Sequence, residues 1–310
     1  MITKDWDSFC IVGIGRHAKE RVIPALKNNG KKILGYVSSK KDNFLPSYNN
    51  LLLSYKSIPK DVVYVVCSPP RHHFEQALSI LKSGRSVIVE KPAFMNAKEA
   101  VVVLNFCQKN NLIFVEAFMY QYTKIFDKFI FFWNENINYI KNIRIGFLIP
   151  KFPVSTFRDY NLILETILYD IGCYPISLLV DIGFSEDNLV ISNYSFNSNL
   201  MKFNIINIER NINIDISIGI SPVYENYVEL ETFDKKKIIF SKFFHGLSIN
   251  KTIKYQNSEN SYIDSFIDEN GFENMFNIPC RNWIENQNTR FSKIIKSTTL
   301  LETINRHLSE

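Results

Sequence analysis

The fold is decided by the stretch Phe9-Cys10-Ile11-Val12-Gly13-Ile14-Gly15-Arg16-His17-Ala18. An apolar run ends at two glycines one residue apart, and a helical pattern follows to Lys27. Gly13 and Gly15 permit a tight turn with close approach of the backbone to a pyrophosphate, and Ala18 is small enough for close helix–strand packing. The free N–H groups of a helix N-terminus attract such an anion. The stretch predicts a dinucleotide-binding turn; a plain strand–helix turn is the simpler alternative.

Short apolar runs alternate with helical patterns as far as Met119. The predicted strands are 9–13, 32–37, 61–67, 87–89 and 112–116, and the predicted helices are 18–27, 73–81 and 97–109. Strands that alternate with helices imply parallel crossover connections. Residues 1–119 are therefore predicted to form an α/β domain of the Rossmann type, with a doubly wound parallel sheet. Pro24, inside the first helix, predicts an early turn or a kink.

The pattern changes after Met119 to segments that mix apolar and polar residues, mostly in alternation. The predicted strands here are 142–148, 203–208, 212–220, 227–232 and 237–241, and the helical stretches are 162–180 and 286–308. Alternation is typical of an antiparallel sheet with one buried face, and Asp234-Lys235 predicts a hairpin turn. Residues 120–310 are therefore predicted to form an α+β domain, and its final helix could pack back on the first domain.

Composition sets limits on the class of protein. The chain has 310 residues, of which 46% are hydrophobic and 22% charged, enough for two globular domains. The net charge of +5 is scattered, so it does not indicate a nucleic-acid partner. Five cysteines without CxxC spacing favour core residues in a reducing compartment over a disulfide or zinc framework. A polar N-terminus, and no apolar run of about 18 residues, predict a cytoplasmic protein without a membrane partner.

The end of the second predicted strand bears on cofactor choice. An NAD site usually has an acidic residue there, which binds the ribose 2′-hydroxyl. Here the strand runs into Ser38-Ser39-Lys40-Lys41, and no carboxylate appears before Asp42. Hydroxyl and ammonium groups suit a 2′-phosphate, so NADP is favoured and NAD is the less favoured alternative. The missing acid also argues against an S-adenosylmethionine-dependent methyltransferase.

A second informative stretch is Ser86-Val87-Ile88-Val89-Glu90-Lys91-Pro92, an apolar strand that runs into a Glu-Lys-Pro corner. It places one ammonium group at the carboxyl edge of a sheet, where open α/β sheets bind ligands. Farther along the chain, Asp170 and Tyr174 are four residues apart in a helical pattern, so their side chains can share one face.

Several segments together resemble the Gfo/Idh/MocA oxidoreductase family, which includes glucose–fructose oxidoreductase, inositol dehydrogenase and dihydrodiol dehydrogenase. The resemblance rests on 12–15, 23–26, 68–73, 77–78, 84–87, 90–92, 116–119 and 169–175. It implies a Rossmann domain followed by a domain with a large open sheet that commonly forms a dimer interface. It also implies a cis peptide before Pro92, and substrates that are sugars, nucleotide sugars, polyols or dihydrodiols. Tyr174, in place of a histidine, resembles the branch with ketosugar reductases, many of which prefer NADP.

The resemblance implies hydride transfer between NADP and a sugar-like carbonyl or alcohol, as in a ketosugar reductase or sugar dehydrogenase. Reduction of a carbonyl creates an alkoxide that needs a proton donor. Tyr174 is the expected donor, because the nearby Lys91 ammonium would lower the pKa of its phenol. Lys91 would also hydrogen-bond the nicotinamide ribose or the substrate, and Asp170 would orient substrate hydroxyls.

The expected site residues fall into three overlapping groups. The catalytic residues are Lys91, Tyr174 and Asp170, and the substrate-binding residues are Lys91, Arg158, Asp170 and Tyr174. The cofactor-binding residues are Gly13, Gly15, Arg16, His17, Ala18, Ser38, Ser39, Lys40, Ser68, Pro69, His73, Glu90 and Lys91. His73 could instead cap the helix that it begins, and Glu90 could buttress its turn. The expected partners are a sugar-like small molecule and further copies of the chain, in a dimer or tetramer formed through the C-terminal sheet.

Two departures from the family pattern leave an alternative open. Leu164-Glu165-Thr166 stands where the family often has two glycines, and Gln121 stands where it often has arginine. Both lie on the substrate side, so a catalytically impaired dinucleotide- or sugar-binding scaffold of the same fold is the second hypothesis. A zinc-dependent alcohol dehydrogenase is a third, which no His and Cys set with ligand spacing supports, so no metal site is expected.

Overall fold

The computed structural model describes residues 5–39, 45–150, 167–197 and 199–309. The chain divides into two compact units, which are described separately below. The first unit comprises residues 1–118 and 272–298, and the second comprises residues 119–271 and 299–310. The domain boundary predicted after residue 119 stays a prediction from sequence.

The first unit is built on a parallel sheet of six strands in the order β3-β2-β1-β4-β5-β6. The strands are β1 Ser8–Val12, β2 Lys32–Val37, β3 Ser47–Tyr48, β4 Val63–Val66, β5 Val87–Glu90 and β6 Phe114–Ala117. Each pairing is parallel. Burial on both faces explains why β4, β5 and most of β1 are continuous apolar runs, as the sequence predicts. The predicted Rossmann architecture is confirmed.

Helices cover this sheet. They are α1 Ile23–Asn28, α2 Leu51–Ser57, α3 His73–Lys82 and α4 Ala97–Lys109, with α8 Cys280–Glu285 from the C-terminal part of the chain. α1 is preceded by a π-helical turn, Ala18–Val22, in which the Ile23 N–H donates to the Ala18 carbonyl. Proline lacks an N–H and clashes with the carbonyl four residues earlier. The presence of Pro24 therefore explains why the helix widens into a π-helical turn just before it. The irregularity predicted at Pro24 therefore takes the form of a widened turn.

The core of the first unit lies between the sheet and its helices. Phe94 and Phe114 stack at its centre, with ring centroids 5.3 Å apart, and both are buried. Phe291 and Ile294 of α9, Gln287–Ser309, pack into this same core. Each large buried side chain contributes roughly 1.5–3 kcal/mol through loss of contact with water. The sequence predicts the helix 286–308 almost to the residue.

The second unit is built on an eight-stranded sheet in the order β14-β13-β12-β11-β7-β10-β9-β8. The strands are β7 Ile140–Ile149, β8 Leu189–Asn197, β9 Leu200–Asn207, β10 Ile212–Ile220, β11 Glu225–Thr232, β12 Lys237–Ser241, β13 Asn250–Gln256 and β14 Ser261–Ile267. All pairs are antiparallel except β7 with β10. The large, mostly antiparallel sheet is confirmed, and so is the hairpin at Asp234-Lys235, where Lys235 has a positive φ of 62°.

Three strands of this sheet, β8, β13 and β14, are not predicted from the sequence. β8 and β14 form the two edges of the sheet, and most of their residues are exposed. Apolar residues of these two edge strands, such as Val190, Tyr262 and Ile263, are exposed, so their apolar residues do not mark one buried face as they do in a half-buried strand. Hydrogen bonding to the neighbouring strands, rather than the local sequence, determines that these segments form strands.

Helix α5, Lys124–Asn136, packs on the sheet through a cluster of aromatic rings in the second unit. The Phe129 ring lies 5.2 Å from Phe240 and 5.1 Å from Phe243, in edge-to-face geometry. Tyr120 joins the same cluster at 5.2 Å from Phe244. Edge-to-face contacts contribute about 0.5–1.5 kcal/mol each beyond the burial of area. The other helices of this unit are α6 Cys173–Asp181 and the end of α9, and α7 Gly271–Phe276 begins at its boundary.

A fully buried ion pair stabilises the start of α5. The Lys251 ammonium lies 2.9 Å from the Asp268 carboxylate, and both side chains are 0% exposed. Asp268 also accepts hydrogen bonds from the backbone N–H of Lys124 at 2.7 Å and of Glu269 at 2.8 Å, and Lys251 donates to the His245 carbonyl at 2.7 Å. Burial lowers the pKa of Lys251, while the hydrogen bond and the charge of Asp268 raise it. The pair therefore provides a hydrogen-bond acceptor for the backbone N–H at the start of α5, and removing its two charges from water is the energetic cost.

Two general properties complete the description. The five cysteines are free thiols, and burial raises the pKa of Cys10 to about 12, as expected for an unreactive core residue. Within the described residues, no helix combines the length and the hydropathy needed to cross a membrane.

We expect Lys251→Met to destabilise the second unit by about 3–5 kcal/mol, because it leaves the Asp268 carboxylate buried without a counter-charge. Lys254→Met, on the same strand and half-buried, is the control and should change the free energy of unfolding by less than about 1 kcal/mol. The measurement is urea unfolding followed by circular dichroism. Equal stability of the two variants would contradict a stabilising role for the pair.

Candidate active site

The carboxyl ends of β1, β2, β4 and β5 lie at one edge of the first unit's sheet, because these strands are parallel. The strand order reverses between β1 and β4: the chain passes from β1 to β2 on one side and returns to β4 on the other. In open α/β sheets, a ligand-binding crevice forms at the carboxyl edge where the order reverses. The loops after these strands carry most of the predicted cofactor-binding residues.

The glycine turn after β1 requires glycine at its first position. Gly13 has a positive φ of 87°, and a Cβ there would come within 2.9 Å of the Ser68 backbone nitrogen, in the loop after β4. A Cβ at Gly15 would meet no described atom within 4 Å, so this side of the turn is open. Ala18 is fully buried at the start of the π-helical turn. The Gly15 side of the turn therefore leaves room for a ligand to approach the backbone, and the helix N-terminus that follows suits an anion such as a pyrophosphate.

Arg16 and the loop after β2 lie beside this turn. Arg16 is exposed and pairs with Glu20 at 2.8 Å, one turn along the helix. Ser38 and Ser39 follow β2, and Ser39 is exposed. Lys40, the other residue predicted to bind a 2′-phosphate, lies outside the described residues. The described part of this loop offers hydroxyl groups and contains no carboxylate.

The turn that carries Lys91 is held from two sides. The Lys91–Pro92 peptide is cis, as the family resemblance implies. The Ala93 N–H donates to the Glu116 carboxylate of β6 at 2.8 Å, and the Pro92 carbonyl lies 2.9 Å from His73 Nδ1. Sequence reasoning places Glu116 only in a strand and misses its role as an acceptor for this turn. A carboxylate inside an otherwise apolar strand was the available signal.

Glu90 is buried at the end of β5, and its carboxylate contacts His17 Nε2 at 2.8 Å. Burial raises the pKa of Glu90, but the opposite effects of His17, Lys91 and His73 are larger together, so the pKa lies below its usual range. His17, one of the expected cofactor-binding residues, is 42% exposed and links the glycine turn to the Glu-Lys-Pro turn. Glu90 is thus a buried carboxylate that faces His17, Lys91 and His73, which fits the interpretation that it buttresses the turn.

His73 does not cap the helix that it begins. Its ring is 1% exposed and lies between two backbone carbonyls, those of Ser68 and Pro92. The hydroxyl of Ser68 donates to Gln76 at 2.5 Å, and Pro69 precedes a short 3-10 turn. The capping interpretation is therefore wrong: the side chain reaches back to the loops after β4 and β5.

Asp170 and Tyr174 lie in the second unit, where a π-helical turn, Ile167–Gly172, runs into α6. Their side chains are 8% and 6% exposed. The Tyr174 hydroxyl contacts Met119 Sδ at 3.5 Å, and its ring packs edge-on against Phe147 at 5.1 Å. π-helical turns are frequent at functional sites. The placement of these two residues relative to Lys91, which belongs to the first unit, stays a prediction.

Gln121, at the position where the family often has arginine, is fixed by α6. Its amide donates to the Asp181 carboxylate at 2.7 Å and to the Ser177 hydroxyl at 3.2 Å. The Tyr120 hydroxyl reaches the same two groups at 3.3 Å. Gln121 therefore anchors the helix that carries Tyr174.

Some predicted features lie outside the described residues. Arg158 and the segment Leu164-Glu165-Thr166 belong to the undescribed stretch 151–166. Among the described residues, no group of three His, Cys, Asp or Glu side chains is arranged to hold a metal ion.

Comparisons with known proteins give a consistent result. Residues 8–118 match the sequence profile of the Gfo/Idh/MocA group, described as an oxidoreductase family with an NAD-binding Rossmann fold. A trans-1,2-dihydrobenzene-1,2-diol dehydrogenase from Xenopus tropicalis is 26% identical over 164 residues, which cover 51% of this chain and 49% of the relative. Its Xenopus laevis counterpart matches equally. The chain thus matches about half the length of these curated relatives.

Solved structures share the fold over nearly the whole chain. A 3-ketoreductase from Actinomadura kijaniata, crystallised with TDP-benzene and NADP, has a TM-score of 0.80 at 15% identity, covering 96% of both chains. A UDP-N-acetylglucosamine 3-dehydrogenase from Acidithiobacillus ferrooxidans has a TM-score of 0.71 at 8% identity, covering 96% of this chain and 95% of that one. Over residues 8–118, the chain is thus similar to the Gfo/Idh/MocA oxidoreductases in sequence, and over nearly its whole length it shares the fold of these solved structures.

Proposed function

We propose that this chain is an NADP(H)-dependent oxidoreductase that transfers a hydride between the nicotinamide and a sugar-like carbonyl or alcohol, as a ketosugar reductase or sugar dehydrogenase. The observation that carries the proposal is the position of Lys91. It follows β5 at the carboxyl edge of the nucleotide-binding sheet, one strand from the reversal between β1 and β4. A cationic side chain there suits a group that contacts both the cofactor ribose and the substrate oxygen.

The residues of the first unit fit a dinucleotide. The open turn at Gly13 and Gly15 would hold the pyrophosphate, and Ser38 and Ser39 with Lys40 would hold the adenosine 2′-phosphate. The NADP in the Actinomadura structure supports the choice of NADP over NAD. When bound, the cofactor supplies or accepts the hydride, and the protein orients it and excludes competing reactions.

The protein residues would handle the proton and the substrate. In the reductive direction, the carbonyl carbon gains the hydride, and its oxygen gains a proton from the Tyr174 hydroxyl, which solvent then restores. The proposal requires the Lys91 ammonium to lie near that oxygen, where it stabilises the developing negative charge and the phenolate. Asp170, one turn before Tyr174, would accept hydrogen bonds from neighbouring substrate hydroxyls.

The substrate class follows from the relatives and from these groups. The two structural neighbours are named for nucleotide-linked ligands or sugars, and the curated relatives for a dihydrodiol. The sugar of UDP-N-acetylglucosamine and a 1,2-dihydrodiol both carry oxygen substituents on adjacent ring carbons. A nucleotide sugar, or a related polyol or ketone, is therefore the proposed substrate, with Arg158 as a candidate partner for a phosphate.

Two substitutions, one in each unit, test the chemistry. We expect Lys91→Met to reduce turnover about 10²–10⁴-fold with NADP binding retained, because a charge-stabilising and proton-transfer partner is lost. Tyr174→Phe, which removes only the hydroxyl, should give a loss of similar size. The measurement is NADPH oxidation with a panel of nucleotide ketosugars, and NADP reduction with sugars and polyols. Lys98→Met, at an exposed position on α4, is the matched control.

Turnover by Lys91→Met within a few-fold of the unaltered protein would reject Lys91 as a catalytic residue. The second hypothesis, a binding scaffold, is favoured by Gln121, whose amide is occupied with Asp181 and Ser177. Tight binding of NADP without turnover of any substrate in the panel would support that hypothesis.

Cofactor preference gives a separate test. We expect Ser39→Asp to lower the ratio of kcat/KM for NADP over NAD by about tenfold or more, because a carboxylate at the end of β2 repels a 2′-phosphate and suits a 2′-hydroxyl. Ser258→Asp, at an exposed turn of the second unit, adds the same charge and should leave the ratio unchanged. A ratio that favours NAD in the unaltered protein would contradict the assignment of NADP.

The open face of the second unit's sheet is the proposed surface for self-association. Charged residues form a ladder across its central strands: Arg144 contacts Glu229 at 3.1 Å and Asp215 at 3.8 Å, and Lys237 contacts Glu229 at 3.2 Å. Glu229 is only 13% exposed although it lies on this face. Paired charges reduce the cost of covering such a face with a second copy.

Light scattering coupled to size-exclusion chromatography should give the mass of two or four chains at micromolar concentration. We expect partial dissociation at high salt, where the charge pairs are screened. The mass of a single chain under all conditions would exclude the proposed assembly.

A further inference from the structure

The second unit has a cleft that the proposed chemistry does not use. Helix α5 ends at Asn136, and the sheet that it covers ends where Lys237 of β12, Gln256 of β13 and Ser261 of β14 are cross-strand neighbours. A cleft of about 650 Å³ lies between the end of the helix and the end of the sheet. Pockets of about 300–1,000 Å³ are of the size that binds small molecules.

The cleft lies at the end of α5 that is farther from Tyr174. Near the start of α5, the Tyr120 ring lies 5.5 Å from Phe126 and 5.9 Å from Tyr174. Asn136 comes almost three turns after Phe126, which is about 15 Å along the helix axis. Neither Asp170 nor Tyr174 lines the cleft. A ligand bound there would therefore use groups other than those assigned to the substrate.

Aromatic rings form much of the cleft. Tyr255 and Tyr262 are direct cross-strand neighbours, with ring centroids 6.1 Å apart and ring planes 29° from parallel. A second pair, Tyr139 and Phe233, is joined by a hydrogen bond of 3.0 Å from the Phe233 N–H to the Tyr139 carbonyl. Tyr262 and Tyr139 are both 65% exposed, and Phe233 is 57% exposed. Large apolar side chains grouped and exposed around a concave surface are typical of a binding groove.

The polar groups of the cleft supply both a donor and an acceptor. The Asn257 amide oxygen accepts from the backbone N–H of Glu259 at 2.9 Å and of Asn260 at 2.7 Å, which leaves its amide NH₂ group as a donor for a ligand. The Asn136 amide donates to the Phe132 carbonyl at 2.9 Å, which leaves its oxygen as an acceptor. A hydroxyl group both donates and accepts hydrogen bonds, so hydroxyl groups suit this pair of amides.

The charges around the cleft bear on the class of ligand. Its two lysines are engaged by carboxylates: Lys236 contacts Asp234 at 2.8 Å, and Lys237 contacts Glu229 at 3.2 Å. An anionic ligand would have to compete with these carboxylates for the ammonium groups. A wholly apolar ligand would remove the amides from water without replacing their hydrogen bonds. An uncharged ring that carries hydroxyl groups meets both conditions.

We propose that this cleft binds an uncharged saccharide of one or two rings. A pyranose has C–H groups on the faces of its ring and hydroxyl groups around its edge. Its C–H face packs on Tyr255 and Tyr262, whose negative ring faces attract the slightly positive hydrogens. Its hydroxyl groups bond to the amides of Asn136 and Asn257. The cleft is a binding site without a catalytic role, and it does not depend on the proposed function.

Fluorine NMR of the full-length protein labelled with 3-fluorotyrosine locates the ligand. The probes are glucose, galactose, mannose, maltose, cellobiose and lactose. We expect at least one of the disaccharides to shift the Tyr255 and Tyr262 signals at concentrations up to about 50 mM, because an open cleft of this kind gives a Kd of roughly millimolar size. The signals of the 15 tyrosines are assigned by single replacements with phenylalanine. Unchanged Tyr255 and Tyr262 signals with all six sugars, or shifts with AMP or UMP alone, would overturn the proposal.

Substitution at the rim tests the contacts. We expect Tyr262→Ala to raise the Kd of the bound disaccharide by about tenfold or more, because the sugar ring loses one face on which it packs. The measurement is a titration followed by saturation-transfer NMR of the sugar protons. Tyr194→Ala, on the opposite edge strand and 45% exposed, is the matched control and should leave the Kd unchanged. Tyr139→Ala is a second rim variant, which keeps the test available if Tyr262→Ala does not fold.

Two further outcomes separate this site from the proposed function and from self-association. Lys91→Met should bind the disaccharide with unchanged Kd, so saccharide binding by a protein without any turnover would refute the proposed function and leave the cleft as a binding site. A rim variant that folds and keeps the Kd of the unaltered protein would refute the cleft as the saccharide site. A change in the mass of the assembly caused by Tyr262→Ala would also overturn the proposal, because the cleft would then be an interface between copies of the chain.

Discussion

The parallel pairing of β1 with β2 and β4, and of β4 with β5, is the constraint on which the rest of the first unit depends. Parallel strands end at the same edge, so each loop that follows a strand contributes to one surface. The strand order reverses after β1, and such a reversal is where open α/β sheets form a ligand-binding crevice. The glycine turn, the Ser68 loop and the Lys91 turn are neighbours for this reason, although up to about eighty residues separate them along the chain.

Charge compensation recurs in both units at helix or strand ends. In the first unit, the Glu90 carboxylate is buried beneath three basic side chains. In the second, Lys251 and Asp268 are paired without exposure to water, and Asp268 also caps α5. A buried charge without a partner costs several kcal/mol, so such groups persist only where their neighbours are fixed. These pairs therefore specify how particular loops and helix ends meet the sheets.

Much of the fold could be predicted because its signals are local. Buried parallel strands such as β4 and β5 are continuous apolar runs in the sequence. Helix α4, which begins after the cap residue Asn96, follows β5 in the expected strand–helix alternation. The edge strands β8 and β14 could not be predicted, since apolar side chains are exposed in both and no alternation marks a single buried face. The contacts of Glu116 and His73 could not be predicted, because their hydrogen-bond partners lie in other loops, which no local pattern reveals.

The sequence by itself determined the order of strands and helices, the glycine turn and the lysine at the end of β5, because glycine, proline and apolar periodicity act on the residues around them. It also carried the resemblance to the Gfo/Idh/MocA family, since the Gly13, Lys91 and Asp170 segments follow one another in the order that this resemblance implies. Only the tertiary structure decided what holds the turn that carries Lys91: a carboxylate from β6, an imidazole from α3 and a buried Glu90 in contact with His17. Those contacts join residues distant in the chain, and they exist only after the parallel sheet has brought its carboxyl ends together.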